Sequence, residues 1–480
     1  MGLAFPEILA RSAARQVYRL LRLSAPLLRP LYQHVGLEER ARAVTTLVRV
    51  GWNGTAVAPP LFRESEIVAG ARLSPGVACI GHPAAESGVG EALRATARAL
   101  EAASVPFTLF GLEQYTTARL RDRSMASHES RRLGTHANLL CDGLIGADVA
   151  VRALGSEAFA GRVNILRPFW ELAKVPPRFA ESLARFQEIW APSEFVRGAF
   201  AEAVSVPVLR MPVPVELGEI APVTRASYGL PEHPTLFLFA FDPSSFVVRK
   251  NPVAVVEAFR QAFGRGDTDV GLVIKTLDPG PHAAALKPLK NAIGGDKRIH
   301  LIERTVSRAE MNGLLATTDA FVSLHRSEGF GFSLAEAMLL GKQVIGSDYS
   351  GNTDFLNAAT GYPVPYELVP VGAGEYPDHD GQLWAEPDIG VAARHMSSIV
   401  DDPAGAEHRA LARPSSGSTI ALPPSANRCA SDWPRSVCST SPAEPEPHGQ
   451  DCADHRQRVQ IDHSKTPRER SCDLSASRPG

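Results

Sequence analysis

The feature that most limits this chain is an alternation, met twice, between short apolar runs and segments with helical periodicity. In the second half Thr235–Phe241 (TLFLFAF) reads as a strand, and Asn251-Pro252 then supplies an N-cap and an N1 proline for a helix carrying Val255, Val256, Phe259 and Phe263. Strand-like runs follow at Val270–Thr276, Ile299–Ile302 and Ala320–Leu324. A short helix is predicted over Ser333–Leu340, stopped by Gly341, with a further strand starting at Val344–Gly346. In the first half Gly76–Ile80 suits a buried strand, and a turn-like stretch runs from His82 to Ser87. Val89, Leu93, Ala97 and Leu100 then share one helix face, and strands are predicted at Asp148–Val151, Val163–Leu166 and Glu188–Ala191. Apolar runs separated by helices belong to parallel sheets covered on both faces. The reading is an α/β chain with two Rossmann-like domains, residues 51–215 and 216–404, and a ligand cleft at the carboxyl ends of the strands.

Composition narrows the partners. The chain has 480 residues, enough for two or three domains, and 44% apolar with 21% charged residues excludes a wholly disordered, collagen-like or coiled-coil protein. A net charge of −2 offers no basic field for nucleic acid. Cys79 and Cys141 stand alone in the body, which fits a reducing, cytoplasmic setting, and Cys429, Cys438, Cys452 and Cys472 form no C-x-x-C pair for zinc or redox work.

The ends differ from the body. Residues 1–50 hold eight arginines against three glutamates, with Arg11, Arg15, Arg19 and Arg22 on one helix face. That pattern fits first a solvated helical leader, and second a peripheral contact with an anionic inner membrane face. Residues 411–480 hold nine prolines and twelve serines but only seven Leu, Ile, Val or Phe, so the tail from 405 onward is expected to be disordered. An out-of-frame reading of the gene's end would give such text.

The densest chemistry lies between Ser323 and Phe355, SLHRSEGFGFSLAEAMLLGKQVIGSDYSGNTDF. Glu328 falls in a glycine-rich loop with Gly329, Phe330 and Gly331, between a strand and a helix. The glycines permit close backbone approach to a ligand, and a helix start near Ser333 is an anion site. Ser333 and Glu336 have capping-box spacing, which is the plain structural role for Glu336. A loop carboxylate suits sugar hydroxyls, and one in a first helical turn suits a ribose diol.

E-G-F-G-x-S-L-A-E-A-M, followed by G-K-x-V-I and S-G-N, resembles the E-x7-E signature of retaining GT-B glycosyltransferases of the family-4 type. Upstream, Arg249-Lys250-Asn251-Pro252 follows the strand where that family carries its donor-diphosphate cations. Many members have Gly-Arg straight after this strand. Here Phe241-Asp242 stands there, and Arg249 is the candidate replacement. Lys275, ending its strand, is a further donor-side candidate. Glu86-Ser87-Gly88-Val89-Gly90-Glu91 resembles the family's first-domain glycine loop, which places Gly88 and Gly90 at the acceptor side. Trp170-Glu171 is similar to a cleft pair of some members, with the ring stacking on a sugar and the carboxylate taking hydroxyls. His136 and Asn138 are candidate sugar contacts, and His325 a support behind the glycine loop. Members usually close the chain with helices that cross back to the first domain, whereas helical text stops here near Asp401.

The resemblance implies transfer of a hexose from a nucleotide diphosphate sugar to a glycan or lipid-linked acceptor, with retention at the anomeric carbon. Arg249 and Lys250 would stabilise the leaving diphosphate, Glu328 would orient the donor sugar and Glu336 would hold the ribose. No cofactor and no metal is expected, since the resemblance implies neither. Two other readings stand beside it: a non-catalytic nucleotide-sugar-binding protein, and a GT-B nucleotide-sugar epimerase that needs no acceptor.

Overall fold

The computed structural model describes residues 67–68 and 73–402, apart from 117, 265 and 268, together with Ala13 and Val17. The basic leader (but for those two residues) and the tail after residue 402 lie outside the described residues.

The strands are β1 Ser74–Gly81, β2 Phe107–Gly111, β3 Thr135–Gly143, β4 Val163–Phe169, β5 Glu188–Ala191, β6 Val208–Arg210, β7 Thr235–Phe241, β8 Val270–Thr276, β9 Ile299–Glu303, β10 Ala320–Ser323, β11 Gln343–Ser347, β12 Tyr362–Val364, β13 Tyr366–Pro370 and β14 Leu383–Pro387. The α-helices are α1 Gly88–Ala102, α2 Leu144–Leu154, α3 Ala180–Leu183, α4 Glu194–Ala201, α5 Val247–Lys250, α6 Pro252–Ala262, α7 Lys287–Ile293, α8 Arg308–Thr317, α9 Phe332–Leu339 and α10 Ile389–Asp401. None of the helices among the described residues is long and apolar enough to cross a membrane.

Two six-stranded sheets divide the molecule. The first has the order β2-β1-β3-β4-β5-β6 and the second β12-β11-β10-β7-β8-β9. All pairings within both sheets are parallel. Strand order reverses between β1 and β3 in the first lobe and between β7 and β10 in the second. A crevice opens at such switch points, outside the carboxyl ends of the strands. β7 and β8 are buried along almost their whole length because helices cover both faces.

The strands and helices read from the sequence are present but for one; two expected caps differ, and β2, β3, β6 and β12–β14 carry no sequence reading. Asp148–Val151 is not a strand: it lies inside α2, where Leu144, Ala147, Ala150, Val151 and Leu154 form one buried helical stripe. β3 was not foreseen, although Leu139, Leu140 and Cys141 are fully buried. Asn251 does precede α6, with Pro252 at N1, but it sits in the left-handed region at φ 54° and its side chain makes no capping bond. Ser333 makes no capping box either: α9 begins one residue earlier, at Phe332, behind a left-handed Gly331. A capping box does open α8, where Ser307 and Glu310 exchange bonds.

The lobes meet along the loops at these carboxyl ends. Ser193 Oγ donates to the Gly329 carbonyl at 2.7 Å, Ser327 Oγ donates to the Glu171 carbonyl, and the Glu194 amide donates to Asp354 at 3.0 Å. The antiparallel β13–β14 arm also reaches from the second lobe to the first. Its Val371, Tyr376 and Trp384 join the apolar cluster of Trp170, Leu172 and Phe179. Arg178 pairs with Asp378 on this arm at 2.6 Å, and Gln382 donates to the Lys174 carbonyl at 2.8 Å.

Candidate active site

Glu328 stands on the loop after β10, at the switch point of the second sheet. Its amide donates to Ser350 Oγ at 2.8 Å, and its carbonyl accepts from the Gly351 amide at 2.9 Å. Gly351 must be glycine here, because an added Cβ would lie 2.3 Å from the Gly329 carbonyl oxygen. Ser350 holds a positive φ of 72° with ψ −147°, a region almost confined to glycine. The loop is thus pinned at the carboxylate it presents.

That carboxylate is paired on both oxygens. Lys250 Nζ donates to Oε1, and Arg249 Nη1 lies 3.2 Å from Oε2. Burial alone would raise the Glu328 carboxyl, but Lys250 and Arg249 outweigh it and hold it well below the usual carboxylate range. Arg249 is 4% exposed and is further fixed by the Ser327 carbonyl at 2.7 Å and the Ser245 carbonyl at 3.2 Å. The two cations therefore differ: Arg249 is set back behind Glu328, while Lys250 keeps some exposure toward the cleft.

Behind the loop, His325 is fully buried, with Nδ1 3.0 Å from Ser323 Oγ and Nε2 2.9 Å from Asn352 Oδ1. Burial lowers its pKa, so the ring is a neutral link that ties the β10 end to the Ser350–Asn352 turn. Gly331, at φ 98°, lets the chain turn into α9, where the Ser333 hydroxyl has no side-chain partner among the described residues. Free amides and an open hydroxyl at a helix start make an anion cradle. The Phe330 side chain faces elsewhere: it is 3% exposed and packs on Phe332 and Phe355, so only its backbone borders the cradle.

Glu336 lies on the fifth residue of α9, clear of capping. It is 6% exposed and its Oε1 accepts from Arg308 Nη2. Lys275, at the end of β8, is 3% exposed, donates to the Thr276 carbonyl and has no carboxylate partner among the described residues. Burial, with Arg304 and Arg119 nearby, lowers its pKa to about 8.

The first-lobe candidates divide. Gly88 opens α1 at the cleft, and a Cβ there would lie 3.8 Å from the Phe332 ring of α9. Gly90 is required by packing instead, since a Cβ would meet the Ala85 carbonyl at 2.3 Å. Trp170 does not fit a sugar-stacking role: it is 1% exposed, its indole N–H donates to the Lys174 carbonyl at 3.0 Å, and Phe179 and Tyr376 pack edge-on against it. Glu171 is partly buried, accepts from the Tyr376 hydroxyl and contributes to the field on Arg249. His136 is exposed at the start of β3, six residues before Asp142. At about 3.3 Å per residue this is roughly 20 Å from the carboxyl end that faces the cleft, so it does not join the site. Asn138 is fully buried and donates to the Ala158 carbonyl and Asn164 Oδ1, each at 2.8 Å.

Three contributors escaped the sequence reading. Arg308 lies 28 positions before its partner Glu336, and Tyr376 lies 205 after Glu171. Neither has a local signal. Ser350 sat in a noted motif, but its strained backbone is not written in its residue type.

Residues 222–367 match the model of a family described as Glycosyl transferases group 1. The match lies wholly within the second lobe. The group 1 segment spans β7 to β12, and thus Arg249, Lys250, Lys275, Glu328 and Glu336 together. Sucrose-phosphate synthase from Thermosynechococcus elongatus is a solved structure with the same fold, at 16% identity and a TM-score of 0.52, over 70% of this chain and 92% of that one. The architecture is GT-B, two Rossmann-like lobes across a cleft. OtsA (10% identity, TM-score 0.49, 70% of this chain and 94% of that one) and Anabaena HepE in complex with UDP and glucose (14%, 0.48, 70% and 93%) are also similar. No curated protein matches the chain in sequence. Among the described residues there is no group of three or more His, Cys, Asp or Glu side chains placed to hold a metal ion.

Proposed function

We propose that this glycosyltransferase-fold chain moves a hexose from a nucleotide diphosphate sugar to a glycan or lipid-linked acceptor, with retention and without a metal. The observation that carries the reading is the Glu328 carboxylate held between Lys250 and Arg249 at the switch point of the group 1 lobe, beside the start of α9. A diphosphate at that helix start meets free amides, the Ser333 hydroxyl and Lys250. These groups stabilise the negative charge that grows on the leaving group, which lowers the barrier. Lys275 adds a cation that pairs with no carboxylate among the described residues. Arg249 acts from behind by fixing the Glu328 carboxylate, whose oxygens accept from the donor sugar's hydroxyls. Glu336 accepts from the ribose. Gly88 lines the facing side, where the acceptor hydroxyl approaches.

The test is incubation of the purified chain with UDP-, GDP- and ADP-sugars, with and without glycan and lipid-linked acceptors. Acceptor-dependent release of one nucleoside diphosphate, with the anomeric configuration kept in the product, is expected. An isomeric nucleotide sugar formed without acceptor would make it an epimerase, and tight donor binding without turnover would make it a binding protein.

A further inference from the structure

We propose that Arg308 is a positioning residue that holds Glu336 ready to accept the two vicinal hydroxyls of the donor's ribose, and thereby makes the site prefer a ribonucleotide over its 2′-deoxy counterpart. This rests on the reading of Glu336 as the ribose acceptor given above.

The geometry starts at α8. Its capping box fixes the helix start, so Arg308, the first helical residue, leaves from a defined backbone position. Its Nη2 donates to Glu336 Oε1, while Glu336 Oε2 accepts from no protein group among the described residues. A carboxylate offers about four acceptor sites. With one taken by the guanidinium, Oε2 and the remaining lone pair of Oε1 are left for a vicinal diol. The Arg308 side chain is 44% exposed, so it reaches Glu336 from the solvent side without sealing it.

The alternative partner for Arg308 is already occupied. Glu91 on α1, in the other lobe, acts electrostatically on both Arg308 and Glu336. Yet its two oxygens are taken by Arg94 at 2.9 Å and Arg98 at 2.7 Å, and Arg98 also pairs with Glu216 at 2.7 Å. Arg308 is therefore left to Glu336. Glu336 needs it: burial pushes this carboxyl up, Arg308 opposes that shift and Glu91 adds to it. A protonated Glu336 would turn one oxygen into a donor and accept two hydroxyls poorly. The guanidinium favours the ionised carboxylate, in which both oxygens accept, and fixes its plane.

The experiment titrates the full chain with UDP, GDP and ADP, then repeats the tightest of them as its 2′-deoxy form. Arg308→Met is expected to weaken the ribonucleotide about tenfold while the 2′-deoxy form changes little, so that the preference shrinks toward that of Glu336→Ala. Arg308→Lys is expected to recover part of the preference. Arg308→Gln, which keeps a donor without the charge, takes the place of the methionine variant if that chain does not fold, with the same loss expected. An unchanged ribose preference, or tighter ribonucleotide binding, in these neutral variants while Glu336→Ala loses it overturns the role of Arg308 alone. Unchanged binding in Glu336→Ala, or no binding of any of the three nucleotides, overturns the reading of Glu336 and the proposal with it.

Discussion

Arg249 Nη1 lies 3.2 Å from Glu328 Oε2, the one carboxylate that the guanidinium pairs with among the described residues. Removing one partner of a buried ion pair leaves an uncompensated charge, at a cost on the order of 3 kcal/mol. Glu328→Ala is therefore expected to lose stability in denaturant titration and to lower turnover more than donor affinity. The pH dependence has a definite sign. The Glu328 carboxyl is held below its ordinary value in the fold, whereas in the unfolded chain it titrates near about 4.3. Its contribution is complete above that pH and is lost as pH falls through the folded value. Urea midpoints from pH 6 downward are thus expected to fall less steeply in Glu328→Gln than in the parent. Parallel slopes would remove the ion pair from the account.

Lys275 gives the opposite window. Burial lowers it to about 8, against about 10.4 in an unfolded chain. Between these values the unfolded state binds the extra proton, so stability rises with pH across that range. Lys275→Met is expected to lack this rise and to be more stable than the parent at pH 7. On the proposed reading, a nucleoside diphosphate gains the charged lysine below about pH 8 and loses it above. Affinity measured by calorimetry is expected to decline through that pH in the parent and to stay flat in Lys275→Met.

How far the sequence reveals this protein follows from where each signal resides. β7 and β8 were legible to the residue because a strand buried on both faces writes its length as an unbroken apolar run. Glu328 and Glu336 stand out as candidates because one short motif carries both, and Arg249-Lys250 because they open a second motif 78 positions upstream. β3 carries no clear signal because three of its first four residues, Thr135, His136 and Asn138, are polar, and Asp148–Val151 misleads because Ala-Val text suits strand and helix alike. Trp170 and His136 failed for a different reason. Residue type says that a ring can stack or bind, but burial and the end of the strand on which it sits decide whether it meets the cleft. Arg308 and Tyr376 act across long sequence separations and have no local mark at all.

Gly351 is the tightest point in the site. Its missing Cβ is what allows the Gly351 amide to bond the Glu328 carbonyl and the Gly329 carbonyl to pass at 2.3 Å from the vacant position. Backbone cannot move aside as a flexible side chain can. Gly351→Ala is expected to cost about 1–3 kcal/mol and to displace the Glu328 loop. Nucleotide-sugar turnover is expected to fall further than that of Gly198→Ala, on α4, where the backbone is helical and a Cβ would meet nothing within 4 Å. Equal activity in the two variants would show that the loop tolerates the shift.

The arm that carries Tyr376 joins lobe contact to Arg249. The Tyr376 hydroxyl donates to Glu171, its ring packs 5.9 Å from Trp170 and 4.7 Å from Phe246, and Glu171 acts on Arg249. Tyr376→Phe removes one hydrogen bond and is expected to cost about 1 kcal/mol, with the lobes still joined by Arg178–Asp378 and by Gln382 on Lys174. Tyr376→Ala removes a buried ring and is expected to cost about 3 kcal/mol. In hydrogen exchange, faster labelling is then expected in both 170–178 and 371–384, because each segment loses its main apolar cover. Turnover is expected to fall in step, since Arg249 loses the fixed field of Glu171 as the arm lifts. Faster exchange confined to 371–384, with turnover kept, would mean that the arm covers the first lobe without supporting the site.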